Sequence, residues 1–307
     1  MFHKILVPLD GSLLAEEALA TAMPVAKANH AEVLLLRSIQ PVYTMMPMVA
    51  GEYEWIWPEY AREDSRREIR DYLTGVKARF ECVECPFQII ALEGDPASVI
   101  VDTAEDDQVD LIVMSTHGQT GVRRAVFGSV TERVLHSVSC PVLVTRSEEP
   151  IRRILITLDG SELAERALEP ALELARAFEA SIILLRINEI LPVDPLQATP
   201  SGWDWEVTEP KQRLMGELRQ AAEGYLREVV LRHNLSPSEV QTIVLDGSPV
   251  DRIQEFARLY GIDLTAMSTH GRTGLRRWLY GSVTVKVMRA SECSMLIIRP
   301  PKEELNV

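Results

Sequence analysis

Short apolar runs alternate with amphipathic segments from the start of the chain. The first run, residues 4–9, is rich in branched side chains and ends at Asp10-Gly11-Ser12, so it predicts a buried parallel strand. Ser12 is suited to cap a helix, and apolar residues then recur at helical spacing (Ala15, Leu19, Ala22, Val25 and Ala26). The pattern therefore predicts a strand, a helix and then a second strand at residues 32–39.

The alternation continues as far as residue 145. A segment rich in Pro, Met and aromatic residues occupies residues 40–58, and a charged helix is predicted from Glu59 to about Phe80. Gly94-Asp95-Pro96 predicts a turn into a helix near Ala97. Further strands are predicted at residues 86–92, 110–114 and 140–145. Strands alternating with helices predict an α/β fold, in which right-handed crossovers form a parallel sheet covered on both faces.

The whole series restarts after a polar linker at residues 146–150. The sequence ILITLDGSELAERAL from Ile154 repeats ILVPLDGSLLAEEAL from Ile5, and LDGSPVDRI from Leu245 repeats LEGDPASVI from Leu92. A duplication of this length predicts two tandem domains. We assign them to residues 1–147 and 151–300.

One duplicated stretch is a glycine-bearing loop between a strand and a helix. It reads MSTHGQTGVRRAVFGSVT at residues 114–131 and MSTHGRTGLRRWLYGSVT at residues 267–284, with 13 of 18 positions identical. An apolar run precedes each copy and an amphipathic run follows it, which predicts strand, loop and helix. Backbone N–H groups and the positive end of a helix converge at such a loop. It therefore predicts an anion site, most often one for phosphate.

Charge and apolar content exclude several classes of partner. The chain has 45 acidic and 32 basic residues, and its formal net charge of -13 argues against nucleic acid and anionic membranes. No apolar run approaches the ~18 residues of a membrane span, and the first residues enter a strand without the layout of a signal peptide. Four cysteines agree with a reducing compartment. We therefore expect a cytoplasmic protein.

The order of these motifs resembles the universal stress protein family in its tandem form. Members of the ATP-binding type carry G-x-x-G, nine residues and then G-[ST], and this chain matches at Gly118, Gly128 and Ser129, and again at Gly271, Gly281 and Ser282. Ser115 and Ser268 stand at the position of the family's first glycine. The resemblance implies two tandem Rossmann-like domains of the HUP type. Each would be a five-stranded, doubly wound parallel sheet with helices on both faces.

The same resemblance implies one adenine-nucleotide site in each domain. The aspartate after the first strand would lie beside the nucleotide, the end of the second strand against the base, and the glycine loop at the phosphates. The implied residues are Pro8, Leu9, Asp10, Ser38, Ser115, His117, Gly118, Gly128, Ser129 and Val130 in the first half, and Thr157, Leu158, Asp159, Ile187, Ser268, His270, Gly271, Gly281, Ser282 and Val283 in the second. No residue is assigned a catalytic or metal-binding role.

Some of these residues allow a second interpretation. Asp10 can cap its own turn through its side chain instead of contacting a ligand. Arg123-Arg124 and Arg276-Arg277, between the glycines, can reach a phosphate or remain solvated. His117 and His270 have no nucleophile or paired carboxylate beside them in sequence, so a structural hydrogen bond is favoured over general-base catalysis.

The favoured function is a regulatory one in a stress response. The protein would bind ATP, or ADP or AMP, and binding would change the surface offered to an unknown protein partner. Mg²⁺ could bridge the phosphates, although the chain offers no dedicated carboxylate cage. Two alternatives stay open: a nucleotide-free dimerising scaffold, and a slow ATP hydrolase that lacks the usual phosphoryl-transfer motifs.

The resemblance also implies how the two halves assemble. In the family the fifth strands pair at the edge of the sheet, and here they are residues 142–145 and 296–299. The halves would then form a pseudo-dimer within one chain, and we expect two chains to form a homodimer. The nucleotide, the occupancy of the two sites and the stress signal are not determined by the sequence.

Overall fold

Strands and helices alternate along the first half as the apolar pattern predicts. The computed structural model describes residues 2–41, 43–47, 53–80, 85–116, 128–147, 149–189, 209–236, 239–269 and 282–299. The first half contains β1 (Lys4–Pro8), α1 (Leu13–Asn29), β2 (Glu32–Ile39), β3 (Thr44–Pro47), β4 (Tyr53–Ile56), α2 (Glu59–Phe80), β5 (Phe87–Glu93), α3 (Pro96–Asp106), β6 (Leu111–Ser115), α4 (Ser129–Ser137) and β7 (Val142–Thr145).

The second half repeats this order. It contains β8 (Arg153–Leu158), α5 (Glu162–Glu165), α6 (Leu168–Phe178), β9 (Ser181–Asn188), α7 (Glu209–Arg232), β10 (Val240–Asp246), α8 (Pro249–Leu259), β11 (Leu264–Ser268), α9 (Ser282–Ala290) and β12 (Ser294–Ile298). The predicted α/β alternation is confirmed in both halves. Among the described residues, no helix is both long and apolar enough to cross a bilayer.

The main strands form one ten-stranded sheet in the order β10-β9-β8-β11-β12-β7-β6-β1-β2-β5. Within each half all neighbouring strands are parallel. In the first half β1 is central, with β2 and β5 on one side and β6 and β7 on the other. In the second half β8 is central, with β9 and β10 on one side and β11 and β12 on the other. The strand order therefore reverses between β1 and β6 and between β8 and β11. Such a reversal opens a crevice at the carboxyl ends of the strands.

β7 and β12 join the two halves of the sheet. They pair antiparallel, with Leu143 opposite Leu296 and Val144 opposite Met295. The pairing of fifth strands that the resemblance implies is therefore confirmed. Because each strand covers the edge of the other, neither forms an open edge of the sheet.

Two arginines reinforce this join from opposite sides. Arg146 Nη2 donates to the carbonyl oxygen of Met288 in α9 at 3.0 Å. Arg299 Nη1 donates to the carbonyl oxygen of His136 in α4. The last carbonyl groups of a helix have no N–H donor within the helix, so a side chain can donate to them. A cation at this end also interacts favourably with the helix dipole. Each half therefore stabilises the carboxyl end of a helix in the other half.

Apolar side chains cover both faces of the sheet. Alternate residues of β2 point to opposite faces, so Leu35 joins the cluster beneath α1 and α2 while Leu34 and Leu36 join the cluster beneath α3 and α4. All three leucines are buried. Both clusters continue into the second half of the chain. Burial on two faces explains why these strands are almost continuously apolar.

A small sheet in the first half was not predicted. β3 and β4 pair antiparallel, with Met45 opposite Trp55, inside the segment that the sequence indicated as irregular. Each strand has four residues, and Pro47 ends the first. Four residues are too few to show the alternation of apolar and polar side chains that predicts a strand. The pairing also depends on the partner strand, which neither run reveals on its own.

The helix after β8 is interrupted, unlike its counterpart α1. The Arg166 and Ala167 N–H groups donate three residues back, to Leu163 and Ala164, and a new helix, α6, starts at Leu168. Pro170 explains the break, because it has no N–H for the Arg166 carbonyl and its ring crowds that oxygen. In α6 the proline lies in the first turn, where it is tolerated.

A charged clamp joins α3 to α4 in the first half. Asp95 caps α3 by accepting from the Ser98 N–H at 3.0 Å, and both its oxygens accept from Arg133 of α4 at 2.7 Å. The hydrogen bonds from Arg133, and then that from Ser98, hold the pKa of Asp95 well below its usual range. The second half has Ser248 and Lys286 at the corresponding positions.

This clamp predicts a specific pH dependence. Because the folded pKa of Asp95 is lowered, its contribution to stability is complete above the unfolded pKa of about 4 and is lost as pH falls through the folded value. Asp95→Asn should therefore lower stability at neutral pH and make its decline on acidification shallower. Urea unfolding from pH 7 to pH 3 measures both effects. Asp64→Asn on α2, which is exposed, is the control and should retain the wild-type slope.

Candidate functional site

A cavity of about 480 Å³ lies where the strand order of the first half reverses. The carboxyl ends of β1, β2 and β6 form its floor, and residues of α2, α3 and the start of α4 form its walls. It brings together every sequence-predicted site residue of the first half that the structure describes: Pro8, Leu9, Asp10, Ser38, Ser115, Gly128, Ser129 and Val130. The volume is that of an ordinary small-molecule site.

The first turn of α4 opens onto this cavity. Gly128 is the N-cap, and Ser129 and Val130 are the first two helical residues. Their N–H groups have no acceptor within the helix, and the positive end of the helix dipole lies at the same place. The geometry therefore favours an anion. The amide of Gly128 itself is already used, because it donates to the Thr116 carbonyl at 2.9 Å.

A threonine fixes the start of this helix against the end of the preceding strand in both halves. Thr131 Oγ1 donates to the Ser115 carbonyl at 3.3 Å, and Thr284 Oγ1 donates to the Ser268 carbonyl at 2.9 Å. The sequence reasoning did not assign this role to either threonine. The -G-S-V-T- ending that the two copies share was the available signal.

The Asp-Gly-Ser turn caps the following helix in the same way in both halves. Asp10 Oδ1 accepts from the Ser12 N–H at 2.9 Å and from Ser12 Oγ at 2.6 Å. Ser12 Oγ in turn accepts from the Ala15 N–H at 3.1 Å. Asp159 and Ser161 repeat these distances. Asp10 therefore caps its own turn, and the same residue also lines the cavity.

The glycine of each turn adopts a conformation that other residues rarely reach. The φ angles of Gly11 and Gly160 are +89° and +87°. A Cβ on Gly11 would lie 2.9 Å from the guanidinium of Arg37, and one on Gly160 would lie 2.7 Å from Nη1 of Arg186. The positive φ therefore favours glycine here, and a Cβ would in addition make the arginine side chain shift.

A polar cluster behind this turn occurs in both halves and was missed by the sequence reasoning. In the first half the Arg37 guanidinium lies 4.9 Å from the centre of the Tyr72 ring, and Tyr72 Oη donates to Glu16 Oε1 at 2.9 Å. Arg79 completes the cluster with an ion pair to Glu16 Oε2 at 2.6 Å. Burial, and then the hydrogen bond to Glu16, raise the pKa of Tyr72 above its usual range.

The second half contains the same four residue types in the same contacts. Arg186 lies 4.6 Å from the centre of the Tyr225 ring, Tyr225 Oη donates to Glu165 Oε1 at 2.8 Å, and Arg232 pairs with Glu165 at 2.9 Å. Alignment of the two halves was the signal that could have revealed the cluster, because all four types recur at matching positions. In each half the arginine of this cluster packs against the glycine of the Asp-Gly-Ser turn, so the cluster helps to hold the turn in place.

The predicted site residues of the second half lie at equivalent positions of the fold. Leu158 ends β8 with Asp159 directly after it, Ile187 lies in β9, Ser268 ends β11 and Val283 lies in the first turn of α9. Thr157 Oγ1 donates to the Ala266 carbonyl at 3.5 Å. Ser268 is only 7% exposed, and its Oγ has no hydrogen-bond partner among the described residues. A buried hydroxyl without a partner is unusual in a folded protein.

The remaining predicted residues lie outside the part of the chain that the structure describes. These are His117, Gly118, His270, Gly271 and Gly281, together with the arginine pairs Arg123-Arg124 and Arg276-Arg277. The backbone of Ser282 begins α9. The site is therefore built from the strand ends and the helix starts.

Comparison with known proteins identifies the family of both halves. The model of the universal stress protein family matches residues 1–146 and again residues 150–299. Universal stress protein MJ0531 of Methanocaldococcus jannaschii is 38% identical over 146 residues, which cover 48% of this chain and 83% of that protein. A universal stress protein of Mycolicibacterium smegmatis is 24% identical over 307 residues and 97% of both chains.

The whole-chain architecture also has a solved counterpart. The crystal structure of a universal stress protein from Archaeoglobus fulgidus covers 97% of this chain and 98% of its own, with a TM-score of 0.69 and 19% identity, and so shares the fold. The predicted pair of Rossmann-like α/β domains is thereby confirmed. The chain belongs to the universal stress protein family, with one match to the family in each half.

Proposed function

We propose that the protein binds an adenine nucleotide, ATP or ADP or AMP, in each half and acts by regulation in a stress response. The observation that carries the proposal is the cavity of about 480 Å³, one end of which is the first turn of α4. Donors at a helix start suit the anionic end of a ligand, and the volume suits the rest of a small molecule.

The residues present fit such a ligand. The Ser129 and Val130 N–H groups can hold a phosphate, and Asp10 lines the cavity at the end of β1, where its carboxylate can accept from ribose hydroxyls. In the second half a phosphate oxygen would supply the partner that the buried Ser268 hydroxyl lacks among the described residues. Mg²⁺, when bound with the nucleotide, would neutralise part of the phosphate charge.

The binding residues come from several elements, and this supports a regulatory output. β1, β2 and β6 contribute the floor, whereas α2, α3 and α4 contribute separate walls. A ligand that contacts all of them stabilises one arrangement of these elements over others. The surface that the first half presents to a protein partner would then depend on nucleotide.

A charge placed at the helix start tests the proposal. We expect Ser129→Asp combined with Ser282→Asp to reduce the affinity for ATP at least tenfold, about 1.4 kcal/mol, because each carboxylate would repel the phosphates. The same charge should not harm folding, since acidic residues in the first turn stabilise a helix. Isothermal titration calorimetry with ATP measures the change.

The control for this experiment is the pair Ser129→Asn and Ser282→Asn. Asn has the shape of Asp without its charge, so we expect this pair to bind ATP within about threefold of wild type, a change of under about 0.7 kcal/mol. Equal loss in both pairs would assign the effect to size and would contradict a phosphate at the helix start. Absence of binding by the wild type at millimolar ATP would contradict the proposed function itself.

A nucleotide-free scaffold is the second candidate, and two contacts favour it. The Gly128 amide and the Asp10 carboxylate already have partners within the protein. In addition, the β7–β12 join that holds the halves together involves none of the residues that line the cavity. Mass spectrometry of the denatured, purified protein separates the candidates: recovery of adenine nucleotide supports binding, and its repeated absence supports the scaffold.

A further inference from the structure

The cavity of the first half has two chemically different ends. One end is the start of α4, with its helical N–H donors. The other end is formed by β2, the residue after it, and α2, and it presents four uncharged or acidic polar side chains, those of Ser38, Gln40, Ser65 and Glu68. Arg37 lines the same end but packs on the Tyr72 ring. A ligand whose anionic group lies at α4 therefore meets hydroxyls and a carboxylate at its opposite end.

The second half has different side chains at the corresponding positions. Tyr72 and Tyr225 make the same contact with equivalent glutamates, which aligns α2 with α7 and places Leu218 and Ala221 opposite Ser65 and Glu68. Arg37 and Arg186 make the same ring contact, which aligns β2 with β9.

This second alignment places Ile187 at the position of Ser38. Two hydroxyls and a carboxylate in the first half are therefore replaced by two aliphatic side chains and a methyl group in the second. Gln40, directly after β2, corresponds to Glu189, directly after β9. The anion-binding end is not changed in this way, because both halves begin the helix with Ser-Val-Thr.

We propose that Glu68, with Ser38 and Ser65, makes the first site selective for a base that carries an exocyclic amine, and that the second site, which has no carboxylate at the corresponding place on its helix, discriminates less. The inference rests on the proposed function. An ionised carboxylate only accepts hydrogen bonds, so it pairs with the 6-amino group of adenine and opposes the 6-carbonyl oxygen of hypoxanthine. Its negative charge also opposes a phosphate at this end, which fixes the orientation of the nucleotide.

Two nucleotides that differ at this one position provide the test. ATP and inosine triphosphate share the ribose and phosphates, but ATP has an amine where inosine triphosphate has a carbonyl. With the second site blocked by Ser282→Asp, we expect the first site to prefer ATP about tenfold, the usual net contribution of one hydrogen bond. With the first site blocked by Ser129→Asp, we expect the second site to bind both within about twofold. Calorimetry measures each affinity.

Variants of single side chains assign the preference. In the Ser282→Asp background, Glu68→Gln should bring the two affinities within about twofold, because the amide can donate to the carbonyl as well as accept from the amine. Glu63→Gln, on the same helix but outside the cavity, should keep the preference. In the Ser129→Asp background, Ile187→Ser with Ala221→Glu should give the second site a preference for ATP.

The outcomes separate this inference from the proposed function. If ATP and inosine triphosphate bind equally to the first site, or if Glu68→Gln leaves a preference unchanged, the inference is wrong while nucleotide binding stands. If neither nucleotide binds the wild-type protein, the proposed function is wrong and the inference falls with it. Glu68 is exposed on the surface of α2, so its replacement by Gln should not alter folding, and circular dichroism checks this.

Discussion

We expect Leu296→Ala to lower the free energy of unfolding by about 2–5 kcal/mol, the usual cost of such a cavity in a core. Leu296 lies in β12 opposite Leu143 of β7, where the two halves of the sheet meet. Both side chains have 0% exposure. The loss should be at the upper end of the range. β12 is hydrogen-bonded to β11 on one side and to β7 on the other, so its backbone cannot move to fill the cavity left by the missing side-chain atoms. Urea unfolding monitored by circular dichroism measures it.

Leu231→Ala is the matched control for this experiment. Leu231 lies near the end of α7 and is 76% exposed, so the same chemical change should alter stability by less than about 0.5 kcal/mol. If Leu296→Ala cost no more than Leu231→Ala, the burial of Leu296 in the core where β12 meets β7 would be contradicted.

The second large effect is expected at the Asp-Gly-Ser turn. Gly160→Ala should destabilise the protein by about 1–3 kcal/mol, because alanine is strained at a φ of +87°. The new methyl group would also meet the Arg186 guanidinium at 2.7 Å and displace it from the Tyr225 ring. Thermal and urea unfolding measure the loss of stability.

Helix α7 supplies the control for the glycine substitution. Gly216 lies inside this helix, and a Cβ there would meet nothing within 4 Å. Gly216→Ala should therefore raise stability by about 0.5–1 kcal/mol, the opposite sign for the same chemical change. A stabilising effect of Gly160→Ala would contradict both the positive φ and the packing of Arg186 on this turn.

The parts of the fold that could be predicted from sequence are those that depend on local patterns. Apolar runs such as β1 and β6 were found because burial on both faces leaves few polar residues in a parallel strand. Features that need a distant partner were not found. The cap that Arg299 places on α4 is one of these, because it joins residues 163 positions apart in the chain.

The candidate site was predictable for a topological reason. Parallel strands end at the same edge of the sheet, so Asp10, Ser38 and Ser115, each at or directly after a strand end, had to lie near one another. Ser65 and Glu68 were not found because polar residues on an amphipathic helix are usually solvated. Their position over the cavity follows from how α2 packs on the sheet, which the sequence does not reveal locally.

Because β7 and β12 pair within one chain, the association of the two halves does not depend on the concentration of the protein. Two separate single-domain chains that associate in this way come apart on dilution, and their pairing varies with expression level. In a tandem chain the partner is covalently tethered, so its local concentration is set by the linker and stays high however few molecules the cell contains. The two halves therefore remain together in a fixed one-to-one ratio.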